Sequence, residues 1–198
     1  MSKKISKTTA ILLIISALAL IPSFWLPIWK IDLEAPQYPE GLSMQIWIDT
    51  ITGDVDKING LNHYIGMAKI EPEKFHEFDF LKYLVIAMIL LGLLTSITRK
   101  RWMLILHTLW MVGCGVWGAY DFWKWEYQYG HNLDEHAAIK VPGMAYQPPL
   151  FGYKQLLNFL ASSFPDWGGY LIIGAGFIAV ACLIKELFFC KRKYSLKL

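Results

Sequence analysis

Four apolar stretches, each close to twenty residues, restrict what this chain can become more than any other feature. They occupy residues 10–29 (AILLIISALALIPSFWLPIW), 80–98 (FLKYLVIAMILLGLLTSIT), 102–120 (WMLILHTLWMVGCGVWGAY) and 168–189 (GGYLIIGAGFIAVACLIKELFF). A helix of about 20 apolar residues crosses about 30 Å of hydrocarbon. None of the four shows the polar stripe that a helix in a soluble bundle needs. The balance of 55% hydrophobic to 18% charged residues points the same way. The expected fold class is an all-α membrane protein: four transmembrane helices with a small mixed cap formed by two long loops.

Charge sets the expected orientation. Residues 1–9, 99–101 and 190–198, with Lys185, hold 11 Lys and Arg, and Glu186 is the only acid near them. The remaining eight lysines lie in residues 30–79 and 121–167 or at Lys82, with 15 of the 16 acids. One side therefore carries a net charge of +10 and the other −7, hidden in a total of +3. Basic flanks stay in the cytoplasm. The expected layout is a cytoplasmic N-terminus (1–9), first span (10–29), periplasmic loop (30–79), second span (80–98) and cytoplasmic turn (99–101). The third span (102–120), second periplasmic loop (121–167), fourth span (168–189) and basic cytoplasmic tail (190–198) follow, in a bacterial inner membrane. The first run continues through IPSFWLPIW with no polar region before it ends, which reads as an uncleaved helix. The basic tail is a topology signal, and nothing suggests nucleic-acid binding.

Both loops are long and rich in aromatic residues, so they are expected to pack together as one cap. Turn formers fill residues 35–42. Residues 43–51 (SMQIWIDTI) alternate as a strand, and residues 55–67 suit a short helix capped by Thr52 or Asp54. Residues 69–79 read as an acidic helical lead into the second span. DFWKWEYQYGH (121–131) reads as the third span emerging through an aromatic belt. Prolines hold residues 141–152 extended, and leucines 156, 157 and 160 suggest an amphipathic helix over 153–163 lying along the membrane surface.

Chemistry concentrates in NGLNHYIGM, residues 59–67. On a helix, Asn59, His63 and Met67 would form one row at four-residue steps. Imidazole suits copper or zinc, and a thioether favours Cu(I). His63 and Met67 are thus candidate metal ligands, with His131, His136 and Met144 as completing ligands from the second loop. The competing reading has His63 bonded to a neighbouring carbonyl in a polar seam, and His76 sits in an acidic solvated stretch. The three cysteines, 114, 182 and 190, lie in or beside spans, which leaves no thiolate site in the loops. Without CxxCH there is no haem c, and haem b is not expected because His107 is the one histidine within the spans. No nucleophile elbow, phosphate loop or fixed acid–base pair marks an enzyme, and no acid lies deep in a span to carry ions. Glu186, near the inner end of span four, is expected to snorkel.

The strings APQYPEGL, DVDKINGLNHYIGM and PGMAYQPPLFGYKQLLNF resemble a family of small bacterial integral membrane proteins associated with clade II nitrous oxide reductase gene clusters. The resemblance covers mainly the two loops. It implies an accessory role in maturing or supporting a periplasmic copper enzyme of denitrification. Carried over, it singles out Asn59, Asn62, His63, Tyr64 and Met67, then Met144, Tyr146 and Gln147. The functional expectation is a copper-handling accessory protein, with the enzyme or its maturation proteins as partners. One alternative is a metal-free assembly or docking subunit using the cap as a protein-binding surface. Another is a membrane anchor that passes quinol electrons outward.

Overall fold

The computed structural model describes residues 4–141, 143 and 145–189. Its helices are α1 (Lys7–Ala19), α2 (Val55–Ile65), α3 (Phe78–Thr98), α4 (Arg101–His131) and α5 (Trp167–Ile184). With the short helical turns that extend α1 and α5, four of them are long and apolar enough to cross a membrane: Lys7–Phe24, Phe78–Thr98, Arg101–His131 and Trp167–Phe188. α1 packs against α3 and α5, and α4 closes the ring against the same two. Leucine, methionine and small residues fill the centre, among them Leu20, Val85, Met88, Met111, Ala175 and Ala179. Small residues let the backbones approach, as expected where lipid removes the hydrophobic drive between helices. The side chain of Thr108 donates within its own helix to Leu104 O and across to Ala179 O.

The end of the bundle opposite the cap is tied by polar contacts. Ser6 caps α1 by accepting the Thr9 N–H. Ile5 N–H donates to Arg99 O at 2.8 Å, and Arg99 Nη2 returns a bond to Ile5 O at 2.7 Å. Glu186 does not snorkel. It is 1% exposed and accepts from Ser6 N–H at 2.9 Å and Thr9 Oγ1 at 2.7 Å.

The all-α expectation is corrected by the cap, which is built on a sheet. Its strands are β1 (Trp29–Ala35), β2 (Tyr38–Ile46), β3 (Ile51–Gly53), β4 (Gly152–Leu156) and β5 (Phe159–Pro165). Their order is β3-β2-β1-β5-β4, every pair antiparallel. Both loops thus contribute to one sheet, with β1 and β5 joined within it. The first span ends earlier than its apolar run: α1 stops at Ala19, and Trp29 already belongs to β1. WKIDLEA explains why, because Ile31 and Ala35 face inward while Lys30, Asp32 and Glu34 alternate to the other face.

The amphipathic helix expected over residues 153–163 is also corrected, to a β-hairpin. Leu156 pairs with Phe159 across a two-residue turn whose first residue, Leu157, takes a left-handed φ of 53°. Glycine or asparagine usually marks such a position, so a leucine there hides the turn. On β5 the inward residues include Ala161 and Ser163, too small to register as an apolar alternation. The acidic lead over 69–79 holds only a single helical turn, Pro72–Lys74, before α3 begins.

α4 has 31 residues and is about 46 Å long at 1.5 Å per residue. Its apolar stretch ends at Tyr120, and residues 121–131 form one wall of the cap. Phe122, Trp125 and Tyr129 there pack on the inward sheet residues Ile31, Leu42 and Met44 and on Ile58 of α2. The Trp125 ring lies 5.8 Å from Phe122 and 4.8 Å from Tyr129.

Candidate functional site

The cap offers a small cavity on the inner face of its sheet and an open groove on the outer face. The motif residues meet at the cavity. α2 starts after Asp54, whose carboxylate accepts the Ser43 N–H at 3.1 Å and Lys57 Nζ at 2.9 Å. Its Ile58, Asn62 and Ile65 are buried on the core side. The helix then stops at Ile65, with Gly66 left-handed at φ 78°. That early stop breaks the expected row of Asn59, His63 and Met67. Asn59 turns to Ile70, accepting its N–H at 2.7 Å and donating to its carbonyl at 3.0 Å. His63 remains exposed on the helix surface, beside Tyr64. Met67, past the helix end, lines the cavity instead.

The second loop meets this motif through its backbone. Asp134 N–H donates to Gly66 O at 2.8 Å, and Ile139 N–H to Tyr64 O at 2.9 Å. Gly66 is needed on both counts, since its φ favours glycine and a Cβ would press on Ala137 and Asp134. From the same loop, Tyr146 N–H donates to Gly130 O at 2.9 Å. Asn62, Met67 and Tyr146, drawn from the two motifs, therefore surround one cavity of 70 Å³ with Trp125 and Tyr129. The lining is almost wholly apolar, and the Tyr146 hydroxyl, on a residue 2% exposed, has no partner among the described residues.

The other proposed ligands do not gather here. The exposed His131 ends α4, its ring 3.9 Å from that of Tyr127 and its Nδ1 2.9 Å from Tyr127 O. His136 is exposed, and its N–H donates to Asp134 Oδ1. Met144 lies outside the described residues. Among the described residues there is no group of three or more His, Cys, Asp and Glu placed to hold an ion. Gln147 serves through its backbone: its carbonyl accepts Lys154 Nζ at 2.8 Å, and its main chain lies where a Cβ on Gly130 would stand.

Glu126 is a residue that the sequence reading misses. It is fully buried, and neither carboxyl oxygen has a partner among the described residues. Burial pushes its pKa from the ordinary glutamate range up to about 8, with Lys154 pulling weakly the other way. The signal available for it is a lone acid between Trp125 and Tyr127 in an aromatic helix.

On the outer face a groove of 800 Å³ runs across β2, β1, β5 and β4. Its charged lining consists of Asp32, Glu34, Glu40 and Asp54 against Lys30, with Tyr38, Ser43, Tyr153 and Gln155 beside them. Lys30 pairs with Asp32 at 3.0 Å and Lys57 with Asp54 at 2.9 Å, leaving Glu34 and Glu40 as the groove's surplus. The strict alternation in KIDLE is the sequence signal for this face.

No protein-family model matches the chain, and neither does any curated protein.

Proposed function

We propose that this chain is a membrane-anchored docking or assembly subunit of the bacterial inner membrane, its cap turned to the periplasm and the outer face of its sheet holding a partner protein. The groove carries this reading. A sheet face with no helix over it among the described residues, concave and lined by carboxylates and tyrosines, suits recognition of an extended segment better than it suits catalysis. The carboxylate surplus asks for a basic segment on the partner. The family resemblance would make that partner a periplasmic copper enzyme or one of its maturation proteins.

The test uses the full chain in nanodiscs and an extended peptide alternating lysine with threonine, followed by fluorescence anisotropy. Binding is expected to weaken about tenfold in Glu34→Lys/Glu40→Lys, because exposed charge pairs contribute roughly 0.2–1 kcal/mol each and reversal turns attraction into repulsion. It should also weaken with added salt. Equal affinity of parent and variant would overturn the reading.

A second reading, copper handling, has one observation on its side: Met67 lines a cavity four residues after the exposed His63, just past the end of α2. Under a competing chelator, Cu(I)-loaded protein is then expected to retain about one equivalent, since thioether and imidazole suit Cu(I). His63→Ala/Met67→Ala should abolish retention; unchanged retention would remove both residues as ligands.

A further inference from the structure

A buried carboxylate without a donor is far costlier than a buried carboxylic acid. Glu126 is in that position, and its surroundings show what would answer its ionisation. It lies one turn before Gly130 on α4, and four residues after Phe122, whose ring meets Trp29 of β1 at 5.3 Å. Residues 145–151 cross the same helix as a strap, held at Gly130 by the Tyr146 N–H. From the sheet edge, Lys154 is the charged group acting on Glu126, yet its ammonium is engaged by Gln147 O on the strap. The strap's own titratable groups include Tyr146, buried with its hydroxyl unpartnered among the described residues. Tyr127, Tyr129 and His131 are the titratable residues that follow on α4. The cation able to answer a Glu126 carboxylate is thus already bonded to the strap.

We infer that Glu126 is a proton-operated catch on this strap: closed while the carboxyl keeps its proton, released when the proton passes to water and the carboxylate draws Lys154 away from Gln147. The strap runs directly into β4, whose Tyr153 and Gln155 line the outer groove, so release reaches the docking face. That last link rests on the docking reading; the catch itself does not.

The closed state holds the proton to a higher pH than the open state, where Glu126 returns to the ordinary value of 4.5. Closure is therefore strongest below that value, weakens as pH rises towards about 8, and changes little beyond. Within the window the open fraction grows about tenfold per pH unit, the slope for one proton.

The experiment uses full-length protein in nanodiscs with Pro148→Cys on the strap, labelled by a membrane-impermeant maleimide. Dividing by the rate at Asn158→Cys, a position in the hairpin turn, removes the thiol's own pH dependence. The normalised rate is expected to climb about tenfold per pH unit across the window. It should be flat in Glu126→Gln and unchanged in His131→Asn. Infrared spectra without any cysteine substitution should show a protonated-carboxyl band that titrates far above the usual glutamate range and is missing in Glu126→Gln. A flat rate with Glu126 present, a slope that survives Glu126→Gln, or a band lost in the ordinary glutamate range would each overturn the catch. If the catch holds while lysine–threonine peptide binding ignores pH, the link to docking fails and the catch stands.

Discussion

Gly130→Val is expected to collapse the cap while leaving the four-helix bundle assembled. A Cβ at Gly130 would occupy the main chain of Gln147, and a backbone cannot rotate aside as a side chain can. The strap must lift, breaking the Tyr146 N–H bond to Gly130 O and withdrawing a tyrosine that is 2% exposed. Overpacking in a closed interior costs about 1–3 kcal/mol, and loss of the tyrosine's burial adds to it, so a total of about 3 kcal/mol or more is expected. Limited proteolysis should cut the variant within residues 145–151 under conditions that spare the parent, while size-exclusion in detergent stays unchanged. A variant as resistant as the parent would show that the strap does not rest on α4.

Glu186→Leu should act at the other end. The carboxylate now accepts from Ser6 N–H and Thr9 Oγ1; leucine fills the space but strands the Ser6 N–H, while Thr9 Oγ1 can turn to Ser6 Oγ at 2.9 Å. An unsatisfied buried donor costs about 1–3 kcal/mol and a lost hydrogen bond to a charged group about 1.5–3 kcal/mol, so a loss of about 3 kcal/mol is expected, and more where lipid denies water. Glu186→Gln keeps an acceptor and should lose less than half as much. Thermal unfolding in detergent resolves these differences. Equal midpoints for the leucine variant and the parent would show that the contact contributes nothing to stability.

The spans are legible because twenty-residue apolar runs have few alternative fates. Their ends are less so: hydropathy runs on through IPSFWLPIW, although Trp29 begins a strand. The sheet is readable where large apolar residues alternate, as at Met44 and Ile46, and unreadable at β5, where Ala161 and Ser163 mark the inward face. Leu157 conceals the hairpin turn by standing where glycine is usual. In the motif, the composition of NGLNHYIGM suggests a row of ligands. Gly66 decides otherwise by ending the helix before Met67 can join His63. Glu126 is marked only as a lone acid between Trp125 and Tyr127, a weak signal because an acid near a helix end normally meets water; its burial depends on segments distant in sequence.

The pairing of β1 with β5 has a mechanical consequence for the bundle. β1 follows α1 after a short turn, and β5 ends immediately before Asp166, the N-cap of α5. Trp29 stands opposite Pro165, and Gly168 N–H is bonded to Pro27 O at 2.9 Å. At the far end the same two helices are fastened through Glu186, Ser6 and Thr9. A pair of rods pinned at both ends cannot slide lengthwise without breaking one set of pins. The α3–α4 hairpin is tied to the same end by Arg99 and Ile5, so lengthwise shear anywhere in the bundle has to break a set of pins, and α4 is the rod that carries the bundle on into the cap.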